Sequence, residues 1–444
     1  MKFPLSKQLR QSLPGVIAGL SSALIRSAFT RLILTVLVAA CLQNSERAAA
    51  AEPITIEFWI FQDFLTGDAG TLIKQFTTEF EKANPDIKIH LVGKKAPDIL
   101  SGVVMGAGSG ALPDVISTQY AFAGSLVKAG LIKDVSKEWG AMPSTWQQQF
   151  SPWAVKVLTK DGQILGVPFT AYASILYRNL TVLKKAGIDA AAGIKDWADW
   201  LAQSKKIKES GLFASAKYLD FPWAHLNFYG GVKGSQFELS PDGKSLLMEA
   251  SNYAAAFEFM KNFQAYSSDV SFADQAATDL FTTNKMAFFV SGPFADPTFE
   301  QAKKEKGLEY DYILIPGQTA DRHGAVYGGE FLAILKTNKA DAAWKWASFL
   351  ADAAQMKRFA GGLGRFVSNE VVLADPEIRK SVLLQLTAKA FANAVPESPL
   401  MAELPEQFFQ PMADNGNLIL LGKETPQQAA ENTIDQMNQA LQNN

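Results

Sequence analysis

Apolar and polar residues alternate strictly where the readable pattern begins. Ile54, Ile56 and Phe58 are apolar, Thr55 and Glu57 are polar, and the run closes at Trp59. A period of two predicts a strand with one buried face. Leu72, Ile73, Phe76, Phe80 and Ala83 then recur at helical spacing, and Asn84-Pro85 stops that helix. Ile87, Ile89 and Leu91 alternate again as a second strand. Strand, helix, strand is the unit that builds a parallel sheet under a helical layer. A glycine-rich stretch over 102–110 leads to a third short strand over 112–116.

The pattern changes over 161–189, DGQILGVPFTAYASILYRNLTVLKKAGID. Asp161-Gly162 signals a turn, Ile164, Leu165 and Val167 predict a short strand, and residues 173–177 predict another. Between them Pro168 fixes its own φ and disfavours helix at Val167. Two strands joined through a proline, with no hairpin turn, suit a chain crossing from one sheet to another. An edge strand carrying a proline is the plainer alternative. If 167–172 is a crossing, Phe169 and Tyr172 are candidates to line a cleft. Ligands of open α/β sheets collect at the carboxyl ends of strands, which draws attention to Phe61, Gln62 and Asp63 and to Thr118, Gln119 and Tyr120.

Further on, residues 218–231 set five aromatics beside Asp220 and a double glycine. Residues 285–290 predict a strand meeting the turn 291–294, and strands over 313–316 and 331–335 flank the turn 327–330. A helix after Asn338 buries Trp346, Phe349, Leu350, Ala353 and Met356, and Thr425-Pro426 opens a last amphipathic helix. Trp139, Trp146 and Trp153 repeat every seven residues, but Pro143 and Pro152 interrupt any continuous helix, so a packing role is expected for all three.

The N-terminus changes the picture of where the protein works. Residues 1–31 carry Lys2, Lys7, Arg10, Arg26 and Arg31 and no acid, and the apolar run 32–40 that follows is too short to span a bilayer as a lone anchor. That order is a secretory signal. Ala49-Ala50-Ala51 before Glu52 suits ordinary signal peptidase, whereas Val38-Ala39-Ala40-Cys41 suits a lipobox with lipidated Cys41. Either way the mature protein is exported, to the periplasm or to a lipid anchor on the outer face of the membrane. Cys41 is the only cysteine, so no disulfide framework is possible. Removing residues 1–51 takes six basic residues from 42 and one acidic residue from 44, which leaves 36 and 43 and a net charge of −7. A chain this acidic is a poor nucleic-acid binder. The remaining length exceeds what one core usually serves, so two lobes are expected.

Enzyme signatures are sparse. His90, His225 and His323 stand apart, and there is no Gly-x-Ser-x-Gly, His-Glu-x-x-His or Walker-type loop. Asp63 and Asp220 are the one carboxylate pair that could serve a secreted carbohydrate-active enzyme, the alternative function class.

In their order and spacing, the segments ITIEFW, NPDIKI, LPDVI, LVKAGLIKDVS, DGQILGVPFTAYASILYRNLTVLKKAGI, NKMAFFVSGPF, GGEFLAILK, DAAWKWASFLADAAQ and TPQQAAENTIDQMNQAL resemble the family 1 extracellular solute-binding proteins of ABC importers, the maltose-binding type. The resemblance covers almost all of the mature chain. It implies an α/β protein of the type II periplasmic-binding class, with two lobes, each a mainly parallel sheet flanked by helices. Three hinge crossings near 167–171, 290–293 and 335–338 join the lobes, which close on a ligand. The N-terminal lobe would hold 52–168 and 292–336, and the C-terminal lobe 169–291 and 337–444. Ligand positions carry over to Trp59, Phe61, Gln62, Asp63, Thr118, Gln119, Tyr172, Asp220, Trp223, Phe294, Tyr327 and Glu330. Trp223 and Phe294 would face the cleft from opposite lobes. Gly364-Arg365-Phe366 departs from the pattern, where relatives often carry proline, and puts Arg365 forward as a ligand contact. The implied protein is a monomeric, non-enzymatic binder without cofactor or metal. It would take a sugar or related polar solute and deliver it to the importer's membrane subunits.

Overall fold

The first alternating segment forms β1 (Ile54–Phe61), followed by α1 (Gly67–Ala83), β2 (Ile87–Lys94), α2 (Ala96–Ser109) and β3 (Val115–Gln119). They belong to a computed structural model that describes residues 52–363, 365–398 and 406–443. β1 pairs in parallel with β2 and with β3, as the strand–helix–strand pattern requires. The buried face of α1 is Ile73, Phe76 and Phe80, and the Asn84 side chain closes the helix by donating to the Phe80 carbonyl at 3.0 Å.

After several short helices come β4 (Val167–Pro168), β5 (Tyr172–Ala173) and β6 (Ile175–Asn179). Helices α3 (Trp197–Glu209), α4 (Pro222–Gly230) and α5 (Ala250–Gln264) lead to β7 (Phe288–Ser291) and β8 (Tyr310–Ile313). Then follow β9 (Val326–Gly328), β10 (Glu330–Ile334), α6 (Ala340–Leu350), α7 (Ala353–Leu363) and β11 (Val395–Pro396), with α8 (Glu406–Leu420) and α9 (Pro426–Gln442) at the end. The largest sheet has the order β2–β1–β3–β10–β4, with β10 antiparallel to both neighbours. A second sheet, β8–β6–β7, is antiparallel throughout, so within these two sheets the parallel pairs are those of β1 with β2 and β3.

Two hydrophobic cores divide the chain. One takes residues from Ile56 to Ala171 and again from Phe331 to Leu384, and the other takes Tyr172 to Val326 and Leu383 to Met437. These memberships move the expected lobe boundaries. Residues 292–326 stay with the second core, because β8 pairs with β6 and Phe299 is buried against Tyr177 and Phe281. The helix after 338 returns to the first core, because Trp346 packs on Phe58 and Phe80. The first passage between the cores falls between Ala171 and Tyr172. The second lies over 327–330 rather than 290–293, and the third near 383 rather than 335–338.

The first two crossings run side by side. β4 and β10 pair antiparallel through Leu332 and Val167, and β5 and β9 continue that pairing through Tyr327–Ala173 and Gly328–Tyr172. The Phe169 and Thr170 amides both donate to the Glu330 carbonyl, at 3.1 and 3.0 Å. Gly329 permits this approach: its φ is +150°, and a Cβ there would sit 2.2 Å from the Thr170 carbonyl oxygen. β11 adds to β9 in parallel, so the returning third segment joins the same small sheet.

Candidate functional site

The paired crossings gather side chains from both cores. Gly328 leaves open a point that a Cβ would share with the Glu397 Oε2 atom at 2.5 Å and the Tyr172 hydroxyl at 2.8 Å. Glu397 Oε1 accepts from Gln119 Nε2 at 2.9 Å, which ties the end of β3 to the residue after β11. The Tyr172 hydroxyl accepts from Trp223 Nε1 at 3.1 Å, and the edge of Phe294 meets the Tyr172 ring at 5.4 Å. On the other side of Glu397, the rings of Tyr120, Trp153 and Tyr327 line a cavity with Gly328 and Glu397. Its volume is about 20 Å³, room for one water molecule and far too little for a sugar ring.

A charged group adjoins this cluster. Arg365 Nη2 donates to Asp63 Oδ2 at 2.9 Å, and its guanidinium lies 4.8 Å over the Phe64 ring. Glu330, opposite Gln119 in the strand register, feels Arg365, Asp63 and Glu397. Burial pushes the Glu330 carboxyl up to about 8; the Arg365 charge opposes that shift, while Asp63 and Glu397 add to it. Burial also lifts Glu397 to about 7, against a restraining contact with the Tyr172 hydroxyl. Burial first, and the Glu397 charge second, raise the Tyr172 phenol well above 10.

These shifts set a pH dependence. A carboxyl whose folded pKa is raised contributes stability that is complete below its unfolded value near 4.5 and is lost as pH climbs through about 7 to 8. The thermal midpoint of the unliganded protein should therefore fall from about pH 5 to about pH 8.5 more steeply in wild type than in Glu330→Gln. Parallel slopes in circular-dichroism melts would show that Glu330 titrates as it does in the unfolded chain.

Tyr172, Gln119, Trp223, Phe294, Tyr327, Glu330, Asp63 and Arg365 thus come together around the crossings. Trp223 and Phe294 do so from the same lobe, since both pack on the second core's Tyr172. The remaining candidates lie elsewhere. Trp59 is buried over Gly102 of α2, donates to Glu57 Oε1 at 2.6 Å and carries Lys94 on its face. Phe61 stacks on Phe64 in the first core. Gln62 is exposed beside Gly93, and Thr118 is buried in β3 opposite Phe331. Asp220 is held by Lys217 at 2.9 Å, so Asp63 and Asp220 each face their own cation rather than one another. Phe169 packs between Phe64 and Phe359 instead of lining a cleft. Cys41 lies outside the described residues.

Sequence reasoning missed Glu397 and Trp153. Glu397 meets a partner 278 residues away, and its only local signal is its place between Pro396 and Pro399. Trp139 and Trp146 pack on Phe150 as expected, but Trp153 turns towards Tyr120 and Tyr327. Among the described residues no group of three or more His, Cys, Asp and Glu side chains is placed to hold a metal ion.

Residues 75–385 match the family described as bacterial extracellular solute-binding protein. The maltodextrin-binding protein MdxE of Bacillus subtilis (strain 168) is 26% identical over 348 residues, which are 75% of this chain and 79% of that protein. The sn-glycerol-3-phosphate-binding periplasmic protein UgpB of Agrobacterium fabrum is 31% identical over 174 residues, 38% of this chain and 38% of its own. Among solved structures, the GacH receptor of Streptomyces glaucescens GLA.O, determined unliganded and with acarbose, superposes with a TM-score of 0.76 at 19% identity, covering 88% of this chain and 98% of that one. The maltotriose-binding protein of Thermus thermophilus gives 0.72 at 18%, covering 87% and 100%. At such identities the likeness to these structures is one of fold.

Proposed function

The chain belongs to the bacterial extracellular solute-binding protein family, and from that membership we propose that it captures a small polar solute, a sugar first of all, between its two cores and delivers it to the membrane subunits of an ABC importer. The observation that carries this reading is the cluster at the paired crossings. Tyr172, Trp223, Phe294, Trp153 and Tyr327 supply ring faces, and Gln119, Glu330, Glu397, Asp63 and Arg365 supply polar groups beside them. A sugar ring has apolar faces and a rim of hydroxyls, and that mixture suits it. The maltodextrin-binding relative supports a saccharide, while the glycerol-3-phosphate-binding relatives keep a smaller polyol phosphate in view. The comparisons support solute binding and lend nothing to the carbohydrate-active enzyme that Asp63 and Asp220 suggested.

Because the cavity at Glu397 is too small for a sugar ring, the solute would enter with the lobes apart and be enclosed as they rotate about the crossings. The protein would work as an exported monomer, either lipidated at Cys41 or free from Glu52 onwards. Among the described residues no helix is long and apolar enough to cross a membrane. Solution scattering during a titration with maltodextrins and monosaccharides tests capture and closure together. A binding sugar should shrink the radius of gyration, and saturation with unchanged curves would reject the hinge.

A further inference from the structure

We propose that the solute carries a protonated amine seated against Glu397, a deepening that rests on the solute-binding reading above. The geometry around Glu397 is unbalanced. Its Oε1 is satisfied by Gln119, but its Oε2 is closed off from solvent and has no hydrogen-bond partner among the described residues. That carboxyl lines a cavity the size of one water molecule, or one ammonium head, between the rings of Tyr120, Trp153 and Tyr327. A buried carboxylate is costly unless a cation or several donors compensate it.

The Tyr172 hydroxyl restrains it, but no facing group brings it a positive charge. Glu330 on β10 and Asp63 after β1 are acids, and Tyr172 on β5 is a neutral phenol. Arg365, after α7, is committed to Asp63 and to the Phe64 face. No cation acts to lower Glu397, which burial leaves near 7. A sugar hydroxyl could donate to Oε2 but would bring no positive charge. An ammonium group would supply both, and aromatic faces around it add cation–π attraction. Its arrival would displace the carboxyl proton, so that binding and proton release are linked.

The test uses the mature protein and two matched pairs of probes, D-glucosamine against D-glucose and deacetylated chitobiose against cellobiose, in calorimetry near neutral pH. The amine of at least one pair should bind about tenfold more tightly than its neutral partner or better. Glu397→Gln should erase that preference, leaving the amine no tighter than its neutral partner whatever the change in absolute affinity. Should that variant not fold, wild-type titrations at about pH 6, where Glu397 is mostly protonated, in buffers of different ionisation heat decide: the amine should release most of one proton and the neutral sugar none. Neutral sugars binding as tightly as amines, or a preference that survives Glu397→Gln, would overturn the amine and leave the sugar reading standing. If neither member of either pair binds, the sugar reading falls and takes this inference with it.

Discussion

Replacing Gly328 by alanine should cut solute affinity more than tenfold and leave the fold standing. The added Cβ would lie 2.5 Å from Glu397 Oε2 and 2.8 Å from the Tyr172 hydroxyl, closer than real atoms approach. Gly328 does not have a left-handed φ, so alanine can adopt its backbone without strain. The Glu397 carboxylate is the tip of a flexible side chain, whereas the buried Tyr172 ring, whose Cε1 would lie 2.9 Å from the new Cβ, must shift as a whole against Trp223 and Phe294. The bonds that should be lost are therefore Gln119–Glu397 at 2.9 Å and Trp223–Tyr172 at 3.1 Å, which fix the polar and aromatic parts of the site. Losing one well-placed anchor typically costs about 2 kcal/mol or more of binding, over tenfold in affinity. The overpacking penalty on stability should be about 1–3 kcal/mol. Calorimetry with the solute that wild-type protein binds, alongside thermal melts, separates the two effects. Unchanged affinity would place the solute away from the crossings.

What could be read from the chain depended on how local each signal was. The helical spacing of Ile73, Phe76 and Phe80 states which face is buried, and the structure buries it. In β1 the period-two reading holds for Ile56 and Phe58, but Ile54 is exposed and Trp59 and Phe61 on the other face are buried too. The first crossing was legible because Pro168 excludes a helix within a few residues of it. The second and third were not. The spacing of Trp346 and Leu350 says that α6 has an apolar face, but nothing local says which core that face meets. Glycine told more than aromatic content did. Gly328 and Gly329 stand where two crossing segments touch, whereas Trp59 and Phe61, put forward by the family resemblance, and Phe169, put forward by its place in the first crossing, fill the first core. Glu397 could not be ranked above any other acid from sequence, because its burial and its partner come from segments far away in the chain.

Truncating Trp346 to alanine should destabilise the first core by about 3–5 kcal/mol and spare the second. Trp346 on α6 is fully buried. Its indole meets Phe80 at 5.1 Å and Phe58 at 5.9 Å in edge-on contacts, and it stacks on Phe349 at 5.9 Å. Phe58 is on β1, the middle of the parallel strands, and Phe80 is on the buried face of α1. Alanine would leave a cavity bounded by all three rings, which rigid strands and helices cannot easily collapse. Phenylalanine should cost much less, since it keeps ring contacts and removes an indole N–H that has no hydrogen-bond partner. Because two cores need not unfold together, the informative measurement is hydrogen exchange rather than a single melting temperature. Protection should fall in β1 and α1 of Trp346→Ala while α5, which packs in the second core through Phe257 and Phe263, keeps its own. Protection lost in α5 and retained in β1 would return α6 to the second lobe and restore the third crossing to 335–338.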